Sequence, residues 1–140
     1  MKELGSKYKK LDPEVRELVR ALNQVGISTI GSSGGNVAEG KVPFPYVDID
    51  IGDCDAGALE EFYQVLARMP TDKFPGYPLR WVLADSVQVR RAEDLITVGR
   101  LQPEYCNPQR SKRLLEMFRG GATILTGLLM VAREVAKIPF

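Results

Sequence analysis

Six consecutive residues, numbers 31 to 36, bring together residue types that can hold a negatively charged ligand. They are Gly31, Ser32, Ser33, Gly34, Gly35 and Asn36, and they directly follow a short predicted strand, 27–30. Glycines leave backbone N–H groups open to a ligand and serine hydroxyls add donors, so such a loop can hold a phosphate or a carboxylate. The spacing matches neither a Walker loop nor a dinucleotide-binding motif, and a flexible turn is the alternative. We expect these six residues to line a ligand-binding pocket.

Two aspartates, Asp48 and Asp50, alternate with apolar residues in the next predicted strand, 46–51. Side chains of a strand alternate between its two faces, so both carboxylates lie on one face, near enough to share a divalent cation. The alternative is the ordinary polar face of a half-buried strand, although aspartate is disfavoured in strands. Together with the 31–36 loop, this strand predicts a polar pocket between the two segments.

The Gly31-Ser32 pair followed by the Asp-Ile-Asp-Ile strand at 48–51 resembles the signature of polymerase-beta-type nucleotidyltransferases. That resemblance implies magnesium-dependent transfer of a nucleotidyl group, with Asp48 and Asp50 holding Mg²⁺ and Asp85 as a third carboxylate. The two parts are separated by residues 33–47, which is more than that family usually has. Two prolines also stand where the family has a helix.

The same region has a longer resemblance to a group of small uncharacterised bacterial and phage proteins. The matching residues are 26–36, Gly-Ile-Ser-Thr-Ile-Gly-Ser-Ser-Gly-Gly-Asn, and 43–49, Pro-Phe-Pro-Tyr-Val-Asp-Ile. In that group the first stretch reads Gly-Ile-x-Thr-x-x-Ser-Cys-x-Gly-His, and a Pro-Tyr-Pro-aromatic-Val strand follows it. This chain has Ser33 in place of the cysteine and Asn36 in place of the histidine. The resemblance therefore implies a pocket of the same shape without thiol or imidazole chemistry, and the group implies no assigned activity.

Histidine is absent from the 140 residues, which removes the commonest general base and the commonest zinc ligand. A zinc site and a Ser–His or Cys–His nucleophile are therefore excluded. The two cysteines, Cys54 and Cys106, have no metal-like or redox spacing. Aspartates on both sides of Cys54 disfavour its thiolate, so it is a poor nucleophile. Apart from Mg²⁺ under the transferase alternative, no cofactor is expected.

The charge balance argues against a nucleic-acid binder, because 19 basic and 18 acidic side chains leave a net charge of +1. A basic run at 110–119 is expected to be a solvated helix face. The length suits one domain, which we place at 11–140 behind a basic N-terminal tail, 1–10. No membrane span is expected, since the apolar stretch 122–132 is too short, and a cytoplasmic location follows.

Helix and strand signals alternate along the chain in the order α-β-β-α-β-β-α. The first helix begins after Asp12 and ends at Gly26, and the second is capped by Asp55. The strands that follow are predicted at 79–85, 87–90 and 95–101, the first two as one bent strand. This order predicts an α+β domain with four strands in an antiparallel or mixed sheet and helices packed on one face.

The last helix, predicted over 107–137, has more apolar surface than one buried face needs. Its main stripe consists of Leu114, Phe118, Ala122, Leu125, Leu129, Ala132 and Val135, and a second apolar face of Ile124, Leu128, Val131 and Ile138. Such a helix is either deeply buried or shared with a partner subunit, which would make a homodimer. Three functions therefore stay open. A small-ligand or anion-binding domain leads, and the alternatives are the transferase and an interaction module that acts through this helix.

Overall fold

The protein folds as an α+β domain, as the order of sequence signals predicts. The computed structural model describes residues 10–69, 80–84, 86–104 and 110–136. In chain order its elements are α1 (Pro13–Gln24), β1 (Thr29–Ser33), β2 (Tyr46–Asp50), a 3-10 turn (Ile51–Asp53), α2 (Ala56–Ala67), β3 (Trp81–Leu83), β4 (Val87–Arg91), β5 (Asp94–Pro103) and α3 (Lys112–Ala136).

The sheet has five strands rather than the predicted four, and the pairings are antiparallel. Its order is β1-β2-β5-β3, and β4 pairs with the same edge of β5 as β3 does. Between Leu83 and Val87 the edge chain advances four residues, whereas their partners on β5, Leu101 and Val98, are three apart. The predicted bent strand is therefore two strands joined across an irregular step, which accounts for the extra strand.

One face of the sheet forms the core with the three helices. Val47 and Ile49 of β2 are fully buried, whereas the residues between and beside them are only half-buried. They belong to one cluster with Leu22 of α1, Phe62 of α2 and Leu125 of α3. Burial of this alternating face is what stabilises the sheet against the helical layer.

The first strand differs from its prediction in both position and extent. Ile27 is buried but lies before β1, which runs from Thr29 to Ser33. Three residues of the predicted loop pair with β2: Gly31 with Asp48, Ser32 with Val47, and Ser33 with Tyr46. Half of the predicted 31–36 loop is thus sheet, because pairing with β2 outweighs the weak strand preference of glycine and serine. The connection from Gly34 to Pro45 contains no helix, as its prolines indicate.

The buried stripe predicted for the last helix is confirmed over its described part. Leu114, Phe118, Ala122, Leu125 and Leu129 are buried, and Ile124 and Leu128 pack half-buried against the core. The helix begins at Lys112 and continues without a break through Gly120 and Gly121. The side chains of Val135 and Ile138 lie outside the described residues, as do Cys106 and the predicted strand end Asp85.

Residues Lys112–Glu134 form the one described helix that is long and apolar enough to cross a membrane. Its mean hydropathy is 1.4 over a stretch longer than the predicted apolar segment 122–132. In this fold, 39% of that apolar window is buried inside the domain, with Leu125 and Leu129 at the core. Core packing therefore accounts for part of the apolar composition of α3, and the absence of a membrane span stays a prediction.

Candidate functional site

The predicted glycine-rich loop is reduced to Gly34–Asn36, and its backbone amides already have partners. Gly34 N donates to Asp12 Oδ2 at 2.8 Å, and Gly35 N donates to Ser33 Oγ at 3.1 Å. Asn36 N donates to the carbonyl of Val42 at 2.9 Å. These N–H groups are therefore engaged within the chain, the first of them by a carboxylate of the chain itself, and their role in holding an anion stays a prediction.

Arg119 of α3 fixes the same loop from the other side. Its Nε donates to the carbonyl of Gly34 at 2.9 Å, and its Nη2 donates to that of Gly35 at 3.2 Å. Nη2 also lies 3.5 Å from Glu14 Oε1. A guanidinium spans several acceptors at once because its donors have a fixed planar geometry. The loop is consequently tied to the start of α1 and to α3 together.

Gly35 is required at its position for two separate reasons. Its φ is +81°, a conformation that other residues adopt at a cost. A Cβ there would also lie 2.6 Å from Leu115 Cδ1 and 2.9 Å from the carbonyl carbon of Phe44. A Cβ on Gly34 would lie 2.7 Å from Glu14 Oε2. Glycine therefore lets the loop pack closely against both helices.

A cleft of about 450 Å³ opens between this loop, the first turn of α1 and the first two turns of α3. We call it the loop cleft. It is lined by Asp12, Pro13, Glu14, Gly35, Asn36, Val37, Lys112, Leu115, Glu116 and Arg119. Three acidic and two basic side chains thus share one concave surface, and a volume of this size suits a small ligand.

A second depression of about 360 Å³ lies on the opposite side of the loop. It shares Asp12, Gly35 and Asn36 with the loop cleft and adds Ser33, Gly40, Lys41, Val42 and Tyr46. Arg110 closes the outer part of this loop, because its Nη1 donates to the carbonyls of Ala38 and Lys41 at 2.6 and 2.7 Å. Two depressions therefore flank one fixed turn.

Two of the six candidate loop residues point away from these depressions. Ser32 faces the same side of the sheet as Val47, its buried register partner on β2. The Ser32 Oγ is buried without a hydrogen-bond partner in the described part of the chain. Gly31 lies opposite Asp48 on the outer face of the sheet. A Cβ added to Gly31 would lie 3.9 Å from Asp48 Oδ2. The described pockets are lined by Ser33, Gly35 and Asn36, whereas Gly34 supports the loop from behind.

The aspartates of β2 share a face, as predicted, but each has a partner within the chain. Asp48 receives two hydrogen bonds from Arg100, at 2.8 Å from Nε and 3.0 Å from Nη2. The Arg100 guanidinium also stacks on Tyr46, 3.8 Å from the ring centroid. Asp50 Oδ1 accepts a hydrogen bond from Asp53 N at the start of the 3-10 turn.

This arrangement does not assemble the predicted magnesium ligands within the described residues, where no three potential ligands lie together. Asp85, the third member of the set, is outside those residues, so the full ligand set stays a prediction. Neither Asp48 nor Asp50 lines the loop cleft. The predicted pocket between the loop and these carboxylates is therefore displaced towards α1 and α3.

Cys54 is a structural residue, in agreement with the sequence. Its Sγ receives a hydrogen bond from Ser28 N at 3.3 Å and donates to the carbonyl of Asp50 at 3.2 Å. Burial raises the pKa of the Cys54 thiol, and the negative charges of Asp50 and Asp53 raise it further. The thiolate is disfavoured, chiefly by burial rather than by the flanking aspartates alone.

Sequence reasoning missed the residues that build the loop cleft. Arg119 and Arg110 belong to the basic run 110–119, which was expected to be solvated, yet both bind loop carbonyls. Asp12, the residue before α1, makes no side-chain capping bond to that helix, and its carboxylate instead accepts a hydrogen bond from Gly34 N. The concentration of basic residues in that run was the one sequence signal that could have indicated these contacts with the loop.

No protein-family model, no curated protein and no solved structure matches this chain.

Proposed function

We propose that this domain binds a small polar ligand in the loop cleft. The observation that carries the proposal is that charged side chains hold the wall of the cleft in one geometry. Asp12 and Arg119 between them make three hydrogen bonds to Gly34 and Gly35. A site fixed before the ligand arrives avoids the ordering cost of binding, and this is what a binding loop needs.

The chemistry of the cleft favours a ligand that carries both a positive and a negative group. Its backbone amides are engaged, so recognition falls to side chains. Lys112 and Glu116 are exposed at the mouth of the cleft. With Asp12 and Glu14 on the opposite wall, acidic groups lie on both sides of the cavity and the basic groups on its α3 side. An amino acid, a short peptide or a similar zwitterion can pair with both signs, whereas a simple anion would meet three carboxylates.

A ligand screen by thermal shift tests this proposal. Amino acids, dipeptides and nucleotides are screened, each with and without Mg²⁺. A true ligand at ten times its Kd stabilises the fold by about 1.4 kcal/mol, which raises Tm by several degrees. Lys112→Ala and Glu116→Ala should each weaken the response. Arg113→Ala, an exposed change on the same helix outside the cleft lining, should not. Equal loss in all three variants, or no hit that perturbs the cleft in NMR spectra, contradicts the proposal.

The magnesium-dependent transferase remains an alternative that the same screen separates. It would require Asp48 to leave Arg100 and meet Asp50 and Asp85 around the metal. A nucleoside triphosphate would then stabilise the protein only with Mg²⁺, and Asp48→Asn would abolish that response. Under the cleft proposal, Asp48→Asn leaves ligand binding unchanged, because Asp48 does not line the cleft.

A dimerisation module acting through α3 is a second candidate, favoured by one specific surface. An apolar groove of about 540 Å³ runs between α1 and α3, and Met130, at its end, is 57% exposed. Next to Met130, Val131 is 60% exposed. Sedimentation from micromolar to millimolar concentration tests this candidate. Met130→Glu should abolish any increase in mass, and Arg113→Ala should not.

A further inference from the structure

The β4–β5 hairpin has an outer edge that no other described strand pairs with. All five residues of β4 are exposed, and among the described residues β4 pairs with β5 alone. In the described part of the chain six large apolar side chains are exposed by two-fifths or more. Half of them, Val87 at 60%, Val89 at 42% and Leu95 at 59%, lie on this hairpin. Such a concentration of apolar surface on a strand edge is uncommon unless something covers it.

The two faces of the hairpin differ in chemistry. Val87 and Val89 lie on one face with Ile96 and Val98, their partners on β5. The other face carries Gln88 and Arg90, and Leu95 lies opposite Arg90. The side chains of Arg90 and Arg91 make no hydrogen bond or ion pair among the described residues. Alternation places Arg91 on the face of Val87 and Val89, with Asp94 as its register partner. A strand added to this edge would thus meet two valines and Arg91 on one face and the unpaired Arg90 on the other.

We propose that β4 is a docking edge for an extended segment of another protein in which apolar and acidic side chains alternate. Backbone hydrogen bonds to the open edge would supply affinity, and the alternation would supply specificity. Apolar side chains of the segment pack on Val87 and Val89, and its carboxylates reach Arg90 on the opposite face.

The sheet itself contains one pairing of this kind. β2 alternates Val47 and Ile49 with Asp48 and Asp50, and it lies against β5. There Asp48 forms its two hydrogen bonds with Arg100, its register partner. The contacts proposed for the outer edge of β4 are therefore of the same kind as those between β5 and β2, namely backbone pairing together with an aspartate–arginine pair.

Charge selects this occupant over a second copy of the chain. Two β4 strands side by side would bring the Arg90 side chains of both copies onto one face, and like charges across strands are destabilising. An acidic segment meets the same arginines with opposite charge. The other sheet edge, β1, is less open because it packs against α1 and has an irregular register at Gly31.

The probe is a blocked, fluorescein-labelled hexapeptide with the sequence of β2, Tyr-Val-Asp-Ile-Asp-Ile, at residues 46–51. It should raise anisotropy in a saturable way and shift the amide resonances of residues 87–91. The peptide with asparagine in place of both aspartates should bind about two- to fivefold more weakly, as loss of one exposed charge pair with Arg90 implies. The peptide with an N-methyl group at every residue should not bind, because it has no backbone N–H to donate to the edge.

Protein variants complete the test. Arg90→Ala should weaken the acidic peptide about two- to fivefold without affecting the asparagine peptide, and Arg113→Ala should change neither. Val89→Thr keeps strand preference while removing apolar surface, and it should weaken both peptides. Equal binding of the N-methylated peptide, resonance shifts confined to other surfaces, or doubling of mass without peptide would overturn the proposal. None of these outcomes depends on whether the loop cleft binds a ligand.

Discussion

Glycine occurs at positions 35 and 40 with nearly identical φ angles, +81° and +82°, but in different surroundings. A Cβ on Gly40 meets nothing within 4 Å, whereas one on Gly35 overlaps Leu115 and the backbone at Phe44. Gly40→Ala should therefore cost about 1 kcal/mol from conformational strain alone. Gly35→Ala should cost about 1–3 kcal/mol more, because the packed loop must also move. Urea denaturation of the two variants measures the difference.

The matched pair isolates packing from backbone conformation. If both variants lose the same stability, the close approach of the loop to α3 has no energetic weight. The loop cleft would then lack the rigid wall on which ligand binding is proposed to depend. A larger loss at Gly35, together with retained ligand response in Gly40→Ala, supports that wall.

The ionisation of Cys54 gives a second prediction for a single residue. Burial and the nearby aspartates raise its pKa from the ordinary 9.0, so the folded state favours the neutral thiol. Its contribution to stability is fully present below the pKa of the unfolded thiol and is lost as pH rises through the folded pKa. The difference in free energy of unfolding between wild type and Cys54→Ala should be constant from pH 6 to about 8 and fall above about pH 9. Denaturation under reducing conditions measures it, and a difference that grows at high pH contradicts the assignment.

At the scale of elements, the contact between β2 and β5 joins strands distant in sequence through Asp48 and Arg100. The pair is partly screened, since these side chains are 20% and 39% exposed, but its geometry is bidentate. A double-mutant cycle with Asp48→Ala and Arg100→Ala should give a coupling energy of about 1 kcal/mol in magnesium-free buffer. If the coupling energy is near zero without Mg²⁺ and becomes measurable when Mg²⁺ is added, the result would instead favour a metal-binding role for Asp48.

The elements that sequence predicts well are those whose signals are local. The buried stripe of α3 follows from helical spacing, and the exposed and buried faces of β2 follow from alternation. The extent of β1 could not be predicted, because Gly31–Ser33 become strand only through pairing with β2. The candidate site could be predicted only in part, because it too depends on contacts between residues distant in sequence. Ser33, Gly35 and Asn36 do line depressions, but the side chain that fixes their loop, Arg119, lies 85 residues beyond Gly34.

The described part of the molecule is held together by one cluster to which α1, α2, α3 and the inner face of the sheet contribute. The loop cleft lies between the starts of α1 and α3. The β4–β5 hairpin projects away from it. The molecule therefore offers two separate surfaces, a cleft that depends on the docking of α3 and an edge that does not.

Trp81, the single tryptophan, reports directly on that docking. It is fully buried, and its Nε1 donates to the carbonyl of Phe118 in α3 at 3.0 Å. Because helices and sheet share one core, loss of tryptophan fluorescence and loss of helical circular dichroism should have the same urea midpoint. A fluorescence transition at lower urea would mean that α3 leaves the sheet before the rest unfolds. In that case ligands of the loop cleft should raise the fluorescence midpoint alone, whereas peptides bound at β4 should leave the gap between the two midpoints unchanged.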